Sequence, residues 1–301
     1  MRLPLLVSAA LVAATIPFAT TSSAAVSPCQ AWAVTDLVTG LGVLENLLPT
    51  RNEIFFSGGG VQRFTRGAAP TLFAAASSPG ALRIKDGALW FVTGDGLQSG
   101  AFGRADGTLQ RLDLRTKKQT TFATGLTMPN GFTFLPDGSA VTSRDLSVLN
   151  PTGITRITTK GVVQPSWSNQ NDGNGMAVDP TGRYLYSDET FTPASNIYRT
   201  EIAHPERRTV LTSLGGVKVP PKGLDDLTLS SSGALYVAAN SAGQVIRVDP
   251  RTGGSCIIAS GLTTISSVRQ GAGGAFPRNH LYATTFTGRI AEITPPAGVT
   301  P

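Results

Sequence analysis

The chain has 301 residues, of which 41% are hydrophobic and 15% are charged, and its net charge is +6. This composition excludes a disordered chain, and the 34 glycines and 20 prolines indicate a turn-rich globular fold. The densest basic group has no interleaved aromatic residues, so we expect solvated surface there and no nucleic-acid partner. That group consists of Arg111, Arg115, Lys117 and Lys118.

The first 25 residues have the features of a secretory signal peptide. Arg2 provides a positive start, residues 3–19 are largely apolar, and small residues at 23–25 provide a cleavage site. A membrane anchor is the alternative, but Pro17 interrupts the stretch, and no other segment approaches the roughly 20 apolar residues that span a bilayer. We therefore expect residues 26–301 to be exported, to an extracellular or periplasmic location, without a membrane partner.

A strand-like segment, AWAVTDLVTG at Ala31–Gly40, precedes a repeat that occupies the rest of the chain. The clearest copies are NGFTFLPDGSAVTS from Asn130, NGMAVDPTGRYLYS from Asn174 and DDLTLSSSGALYVA from Asp225. Each opens on a polar residue and an alternating strand, and continues through a glycine-containing turn into a second strand. Looser copies begin at Glu45, Pro79 and Ser266. Such spacings, roughly 35 to 50 residues, are typical of propeller blades.

These six copies predict an all-β fold, a six-bladed β-propeller of four-stranded antiparallel blades that forms one domain over residues 26–301. The last copy has only three evident strands, so we expect Ala31–Gly40 to pair with it and close the ring. This closure brings Cys29 towards the terminal blades and favours a Cys29–Cys256 disulfide in an exported protein. Two free buried cysteines are the alternative.

The residue that opens each copy should face the central channel, because the innermost strand of a blade begins at one face. These residues are Glu45, Pro79, Asn130, Asn174, Asp225 and either Ser266 or Ser267. Two carboxylates and two amide carbonyls among them match calcium, which takes six to eight oxygen ligands. Asn-Gly is also a favoured turn dipeptide, but here it stands at the entry to a hairpin rather than at its tip. With two histidines in the chain, zinc is disfavoured.

The phrases MPNGFTFLPDG, GNGMAVDPTGRYLYSDE and GLDDLTLSSSGALYVAAN resemble the calcium-dependent six-bladed propellers that include gluconolactonase, senescence marker protein (regucalcin), diisopropyl fluorophosphatase and the paraoxonases. The resemblance implies Ca²⁺ bound by Glu45, Asn130, Asn174 and Asp225, with Asp226 as a further ligand. It also departs from the family. The paraoxonases have a catalytic histidine where this chain has Pro79-Gly80.

The resemblance implies a hydrolase of a small ester-like substrate, of lactonase or arylesterase type, in which calcium polarises the substrate. Asp225 is the predicted catalytic carboxylate, either as a base that activates water or as the nucleophile. The second strand of each blade returns to the ligand face, so residues at its end should contact the ligand side chains or lie at the pocket rim. The candidates are Asp95, Asp145, Asp188, Glu189 and Asn240, together with Trp167, which either covers the channel mouth or anchors a loop.

Two other functions fit the same fold. A non-catalytic propeller would bind a ligand or protein on its upper face and use calcium as a structural ion. A strictosidine-synthase-like enzyme would lack this calcium set. For the hydrolase we expect a monomer whose partner is a small-molecule substrate.

Overall fold

Nearly all regular structure in the chain is β-strand. The computed structural model describes residues 27–146, 153–170, 173–215 and 221–301. Within these ranges the chain forms 25 strands and one short helix, α1 (Leu97–Phe102). The predicted signal peptide, residues 1–25, lies outside the described residues. No helix in the described part of the chain is long and apolar enough to cross a membrane.

Two N-terminal strands, β1 (Ser27–Pro28) and β2 (Ala33–Val38), precede the repeating units. Each following unit is an antiparallel meander, which confirms the six-bladed propeller. Blade 1 contains β3 (Leu47–Pro49), β4 (Ile54–Ser57), β5 (Val61–Phe64) and β6 (Thr71–Ala74). Blade 2 contains β7 (Pro79–Lys85), β8 (Ala88–Thr93), β9 (Gly107–Asp113) and β10 (Gln119–Leu126). Blade 3 contains β11 (Pro129–Phe134), β12 (Ala140–Arg144), β13 (Ile154–Ile157) and β14 (Val163–Ser168).

The remaining blades follow the same order from the channel outwards. Blade 4 contains β15 (Gly173–Val178), β16 (Tyr184–Glu189), β17 (Asn196–Glu201) and β18 (His204–Ser213). Blade 5 contains β19 (Leu224–Leu229), β20 (Leu235–Ala239), β21 (Gln244–Val248) and β22 (Ser255–Ala259). Blade 6 contains β23 (Ile265–Gln270), β24 (Leu281–Thr285) and β25 (Ile290–Thr294). The second strand of a blade has a neighbouring blade on each face, and β12 and β20 are accordingly buried at every residue. The outermost strand β18 is largely exposed.

Apolar side chains pack between adjacent blades rather than within one central core. Six clusters among the described residues fill the six interfaces between blades. At one interface Val141 of blade 3 packs against Met176 and Leu185 of blade 4, and all three are fully buried. Burying one such side chain contributes about 1.5–3 kcal/mol. The strong packing therefore surrounds the channel and leaves its lining free to be polar.

The N-terminal strands tie the two ends of the ring together. Strand β2 pairs antiparallel with β25 as the outermost strand of blade 6, and β1 pairs parallel with β22 of blade 5. Directly after β1, Cys29 forms a disulfide with Cys256, with a Cα–Cα distance of 5.3 Å. The predicted pairing of these cysteines is confirmed, and the alternative of two free cysteines is wrong.

A one-residue bulge occurs at the start of each innermost strand. In blade 3, Pro129 pairs with Arg144 but Phe132 pairs with Thr142, so two residues of β11 face one residue of β12. Equivalent register shifts occur in blades 2, 4, 5 and 6, and backbone hydrogen bonds of Glu45 and Asn46 to Ser57 give the same pattern in blade 1. The bulged pairs are Glu45–Asn46, Gly80–Ala81, Asn130–Gly131, Asn174–Gly175, Asp225–Asp226 and Ser266–Ser267.

The bulges correct one sequence-based prediction. Pro79 pairs with Thr93 as Pro129 pairs with Arg144, so Gly80, not Pro79, is the blade 2 equivalent of Asn130. The error is one residue, because a bulge inserts a residue that strict strand alternation does not reveal.

Candidate active site in the channel

The first residues of four bulges, the four residues singled out from the repeat, meet at a cavity at the upper end of the channel. Glu45, Asn130 and Asp225 line this cavity, and the buried Asn174 donates its amide to two of the lining carboxylates, Asp145 and Asp225. The Asn130 amide donates to Glu45 Oε1 at 2.8 Å, and the Asn174 amide donates to Asp225 Oδ1 at 3.0 Å. The bulge re-aims these side chains towards the axis, and cross-blade hydrogen bonds hold them there.

Glycine follows both asparagines because the next blade leaves no room for a side chain. A Cβ on Gly131 would lie 1.8 Å from the carbonyl oxygen of Asn174, and a Cβ on Gly175 would lie 2.2 Å from the backbone nitrogen of Leu227. Both obstacles are backbone atoms, which cannot move aside as a side chain can. The Asn-Gly dipeptides are therefore close blade-to-blade contacts and not hairpin turns.

Two further carboxylates complete the polar floor of the cavity. Asp95 follows β8 and accepts the Asn130 amide at 3.0 Å, while Asp145 follows β12 and accepts the Asn174 amide at 3.1 Å. Each asparagine amide thus lies between two carboxylates. Asp95 and Asp145, which follow second strands, thus lie beside the residues that open the innermost strands.

Asn240 and Thr190 fix the orientation of this floor. Asn240, which follows β20, donates its amide to Asp225 Oδ2 at 2.7 Å, so both oxygens of Asp225 accept a hydrogen bond. The Thr190 hydroxyl lies 2.8 Å from Asp145 Oδ1 and accepts the Asn174 amide at 3.2 Å. Sequence analysis had identified Asn240 but missed Thr190, whose position after a second strand was the available signal.

The clustered carboxylates raise one another's pKa values. Burial raises the pKa of Glu45 to about 8. The hydrogen bond from Asn130 acts in the opposite direction, and repulsion from Asp145 and Asp226 raises the pKa further. Burial, followed by repulsion from Glu45 and Asp145, also raises the pKa values of Asp95 and Asp225. In the metal-free protein this floor therefore resists full ionisation, and a bound cation would relieve the repulsion.

The donor set of the floor fits a hard cation. Every candidate ligand atom is an oxygen, and the buried Asn174 Oδ1 and Asp95 Oδ1 have no hydrogen-bond partner. Within the described ranges, no group of three or more His, Cys, Asp or Glu side chains has the arrangement of a metal site. The floor does combine carboxylates with the side-chain amides of Asn130 and Asn174. Such a mixed set suits calcium, which accepts carbonyl and carboxylate oxygens.

Asp226 belongs to a second polar layer. Its Oδ2 forms an ion pair with Arg269 at 2.6 Å and accepts hydrogen bonds from Asn46 at 3.2 Å and from Ser267. These partners are second residues of the bulges or lie beyond them, and Asp226 is not among the described residues that line the cavity. The structure therefore gives Asp226, the further calcium ligand implied by the resemblance, an internal cationic partner in Arg269.

Three rim candidates lie elsewhere. Asp188 is fully buried, and burial followed by repulsion from Asp226 raises its pKa, which associates it with the second layer. Glu189 accepts hydrogen bonds from Tyr198 at 2.7 Å and from the Asn196 backbone at 3.0 Å, within blade 4. Trp167 lies on the outermost strand β14, packed against the cluster between blades 3 and 4. Its predicted alternative role, a packing anchor, agrees with this position, and coverage of the channel mouth does not.

The cavity above the floor has a volume of about 760 Å³. Its upper wall is apolar, a feature that the sequence analysis missed. The apolar lining residues include Val43, Leu97, Met128, Phe191 and Phe286. They lie in connections outside the repeated strands, so the repeat carries no signal for them. The arrangement is a polar floor under an apolar mouth, with room for a small organic molecule.

The chain matches no protein-family model and no curated protein sequence. Solved structures are similar along most of their length. A gluconolactonase from Xanthomonas campestris has a TM-score of 0.66 at 14% identity, with 88% of this chain and 90% of that chain covered. Regucalcin, a calcium-binding protein from Agrobacterium tumefaciens, has a TM-score of 0.66 at 17% identity, with 90% and 95% covered. This chain has the fold of those propellers.

A luciferin-regenerating enzyme is also similar, with a TM-score of 0.65 at 14% identity and with 89% of this chain and 97% of that chain covered. The three structures share one architecture, but their names describe different functions. At such identities the likeness establishes the fold, and the reaction must be argued from the site.

Proposed function

We propose that this protein is a calcium-dependent hydrolase of a small ester-like substrate, of lactonase type. The observation that carries the proposal is the convergence of Glu45, Asn130 and Asp225 on the floor of an open cavity, with Asn174 hydrogen-bonded to Asp225 beside them. The gluconolactonase and regucalcin structures with this fold support the same reaction class and the same ion. Calcium, when bound, supplies Lewis-acid polarisation of the substrate carbonyl.

The chain's own residues have two proposed roles, to bind the ion and to act on the substrate carbonyl. Glu45, Asn130 and Asn174 would hold the ion, and Asp225 adds a carboxylate at the cavity floor. Asn174 and Asn240 donate to the two oxygens of Asp225 and fix the plane of its carboxylate. A carboxylate held in this way can take a proton from an attacking water or attack the carbonyl itself. The apolar wall above it excludes bulk water and strengthens both effects.

The cavity argues for this function over the two alternatives. A calcium ion used only as a structural staple needs no adjoining space, whereas this floor faces about 760 Å³. A strictosidine-synthase-like enzyme needs no oxygen cluster of this kind, whereas here four carboxylates and three side-chain amides meet. Calcium binding is therefore the discriminating measurement.

We also propose that the protein is exported after removal of residues 1–25 and works as a monomer. The Cys29–Cys256 disulfide supports export, because such bonds are typical of oxidising compartments. The mass of the protein recovered from the periplasm or culture medium tests the cleavage. Light scattering of the purified protein tests its oligomeric state.

The central experiment assays the purified protein on a panel of lactones and aryl esters before and after complete removal of calcium by a chelator. We expect activity to disappear with the ion and to return on adding Ca²⁺. Asp86→Asn removes a carboxylate from an exposed turn and serves as the matched control, with unchanged activity and calcium affinity. Activity that survives complete calcium removal would overturn the proposal.

A further inference from the structure

Five apolar side chains line the cavity, and we call them the apolar collar: Val43, Leu97, Met128, Phe191 and Phe286. Three of them are unusually exposed for large apolar residues, at 64% for Val43, 68% for Leu97 and 49% for Phe191. Single exposed apolar residues are ordinary on a protein surface. Convergence of several around one opening marks a surface that a ligand covers.

The collar is assembled from distant parts of the chain. Val43 precedes blade 1, Leu97 begins helix α1, Phe191 follows β16 and Phe286 follows β24. None of these positions is needed to pack one blade against the next, since the clusters between blades are formed by other residues. The collar therefore has no structural role in the blade interfaces that would account for its apolar character.

The cavity consequently has two zones of different chemistry. The floor presents oxygens and amides that suit a compact polar group, while the collar offers no hydrogen-bonding side chain. Among the described residues that line the cavity, none is lysine, arginine or histidine. A polyhydroxylated substrate would place hydroxyl groups against the collar without partners, which disfavours its binding. An alkyl chain in the same place would remove apolar surface from water on both sides.

We propose that the substrate is a lactone or ester bearing an alkyl chain of several carbons, with the chain lying against the apolar collar and the ester group on the polar floor. This assignment rests on the hydrolase function proposed above and specifies its substrate class. It makes the collar a specificity element, separate from the residues that hold the ion or act on the carbonyl.

The test uses calcium-loaded protein and five-membered lactones carrying no alkyl chain, a four-carbon chain or an eight-carbon chain, with gluconolactone as the polyhydroxylated comparison. We expect kcat/KM to rise by about twofold to fourfold for each methylene that the collar covers, and at least about tenfold from the unsubstituted to the four-carbon compound. Gluconolactone should be the poorest substrate of the panel.

A binding measurement gives a readout that needs no turnover. The lactams corresponding to the same lactones resist hydrolysis, and titration calorimetry should show affinity rising with chain length together with an increasingly negative heat-capacity change. Leu97→Asn should reduce the affinity for the eight-carbon lactam at least about fivefold more than that for the unsubstituted lactam. Leu72→Asn is the matched control, because Leu72 is 63% exposed on the outer strand β6 and should leave the whole series unchanged.

The outcomes separate this inference from the function on which it rests. Lactone hydrolysis that is independent of chain length, or that favours gluconolactone, overturns the substrate class and leaves the hydrolase intact. Lactam binding that strengthens with chain length in a protein without hydrolytic activity supports the apolar site and overturns the hydrolase. Lactams that bind equally at every length, or not at all, overturn the inference whatever the activity.

Discussion

Asp225→Asn separates a catalytic role of this carboxylate from its role as a charge near calcium. In the native site Asp225 Oδ1 accepts from Asn174 at 3.0 Å and Oδ2 accepts from Asn240 at 2.7 Å. An asparagine keeps one of these acceptors and turns an NH₂ group towards the other donor. The loss of one hydrogen bond to a charged group costs about 1.5–3 kcal/mol. Burial and neighbouring carboxylates raise the pKa of Asp225, so removal of its charge offsets part of that loss.

We therefore expect the fold to survive, with a melting temperature lowered by less than about 8 °C, which corresponds to about 2 kcal/mol in a chain of this size. At saturating calcium, kcat should fall about 10²–10⁴-fold, the usual contribution of a positioned acid or base. Glu45→Gln removes the same charge from the floor but no proposed proton acceptor or nucleophile. It should retain activity within about tenfold of the native protein.

The assay compares kcat of both variants on one lactone at calcium concentrations shown by titration calorimetry to saturate each protein. Saturation matters because both variants lose a negative charge from the site and should bind calcium more weakly. Asp86→Asn again controls for loss of a carboxylate at a distance. Equal losses of kcat in the Asp225 and Glu45 variants would refute a special role of Asp225, since charge at the ion would then explain both.

Three further predictions concern the same architecture. Calcium should raise the melting temperature more at pH 9 than at pH 6. The pKa of Glu45 is near 4.5 in the unfolded chain and about 8 in the metal-free fold, so the metal-free fold loses stability as the pH rises from 4.5 through 8. At the lower pH, protons also compete with the ion for this carboxylate. A melting-temperature shift that is the same at both values would contradict this. Gly131→Ala should destabilise the fold by more than about 3 kcal/mol in denaturant titrations and abolish calcium binding, because the new Cβ would lie 1.8 Å from a backbone oxygen. Gly254→Ala is the control and should be nearly neutral, because its Cβ would meet only a side-chain oxygen at 3.2 Å. Replacing Cys29 and Cys256 together by serine should lower stability by about 2–5 kcal/mol in the same titrations, because the bond links positions 227 residues apart; native-like stability of the double variant would argue against that contribution.

The mouth of the site could not be predicted from the sequence, for a physical reason. Val43, Leu97 and Phe191 lie in connections whose lengths and sequences differ from blade to blade, so no repeat aligns them. They converge only because the ring brings the same ends of different blades to one face. Asp95 and Asp145 were within reach of sequence reasoning because they follow second strands, whose direction is fixed by the antiparallel meander.

The sequence by itself determined the propeller and placed Glu45, Asn130, Asn174 and Asp225 at equivalent positions of four blades, because both follow from a repeat with one period. It favoured the pairing of Cys29 with Cys256, because the ring must close, and the structure decided between that bond and two free cysteines. Only the tertiary structure decided what the bulges do. One extra residue per innermost strand breaks the alternation, so Asp225 lines the cavity while the adjacent Asp226 pairs with Arg269. That difference depends on which blade lies opposite each side chain, and no spacing along the chain records it.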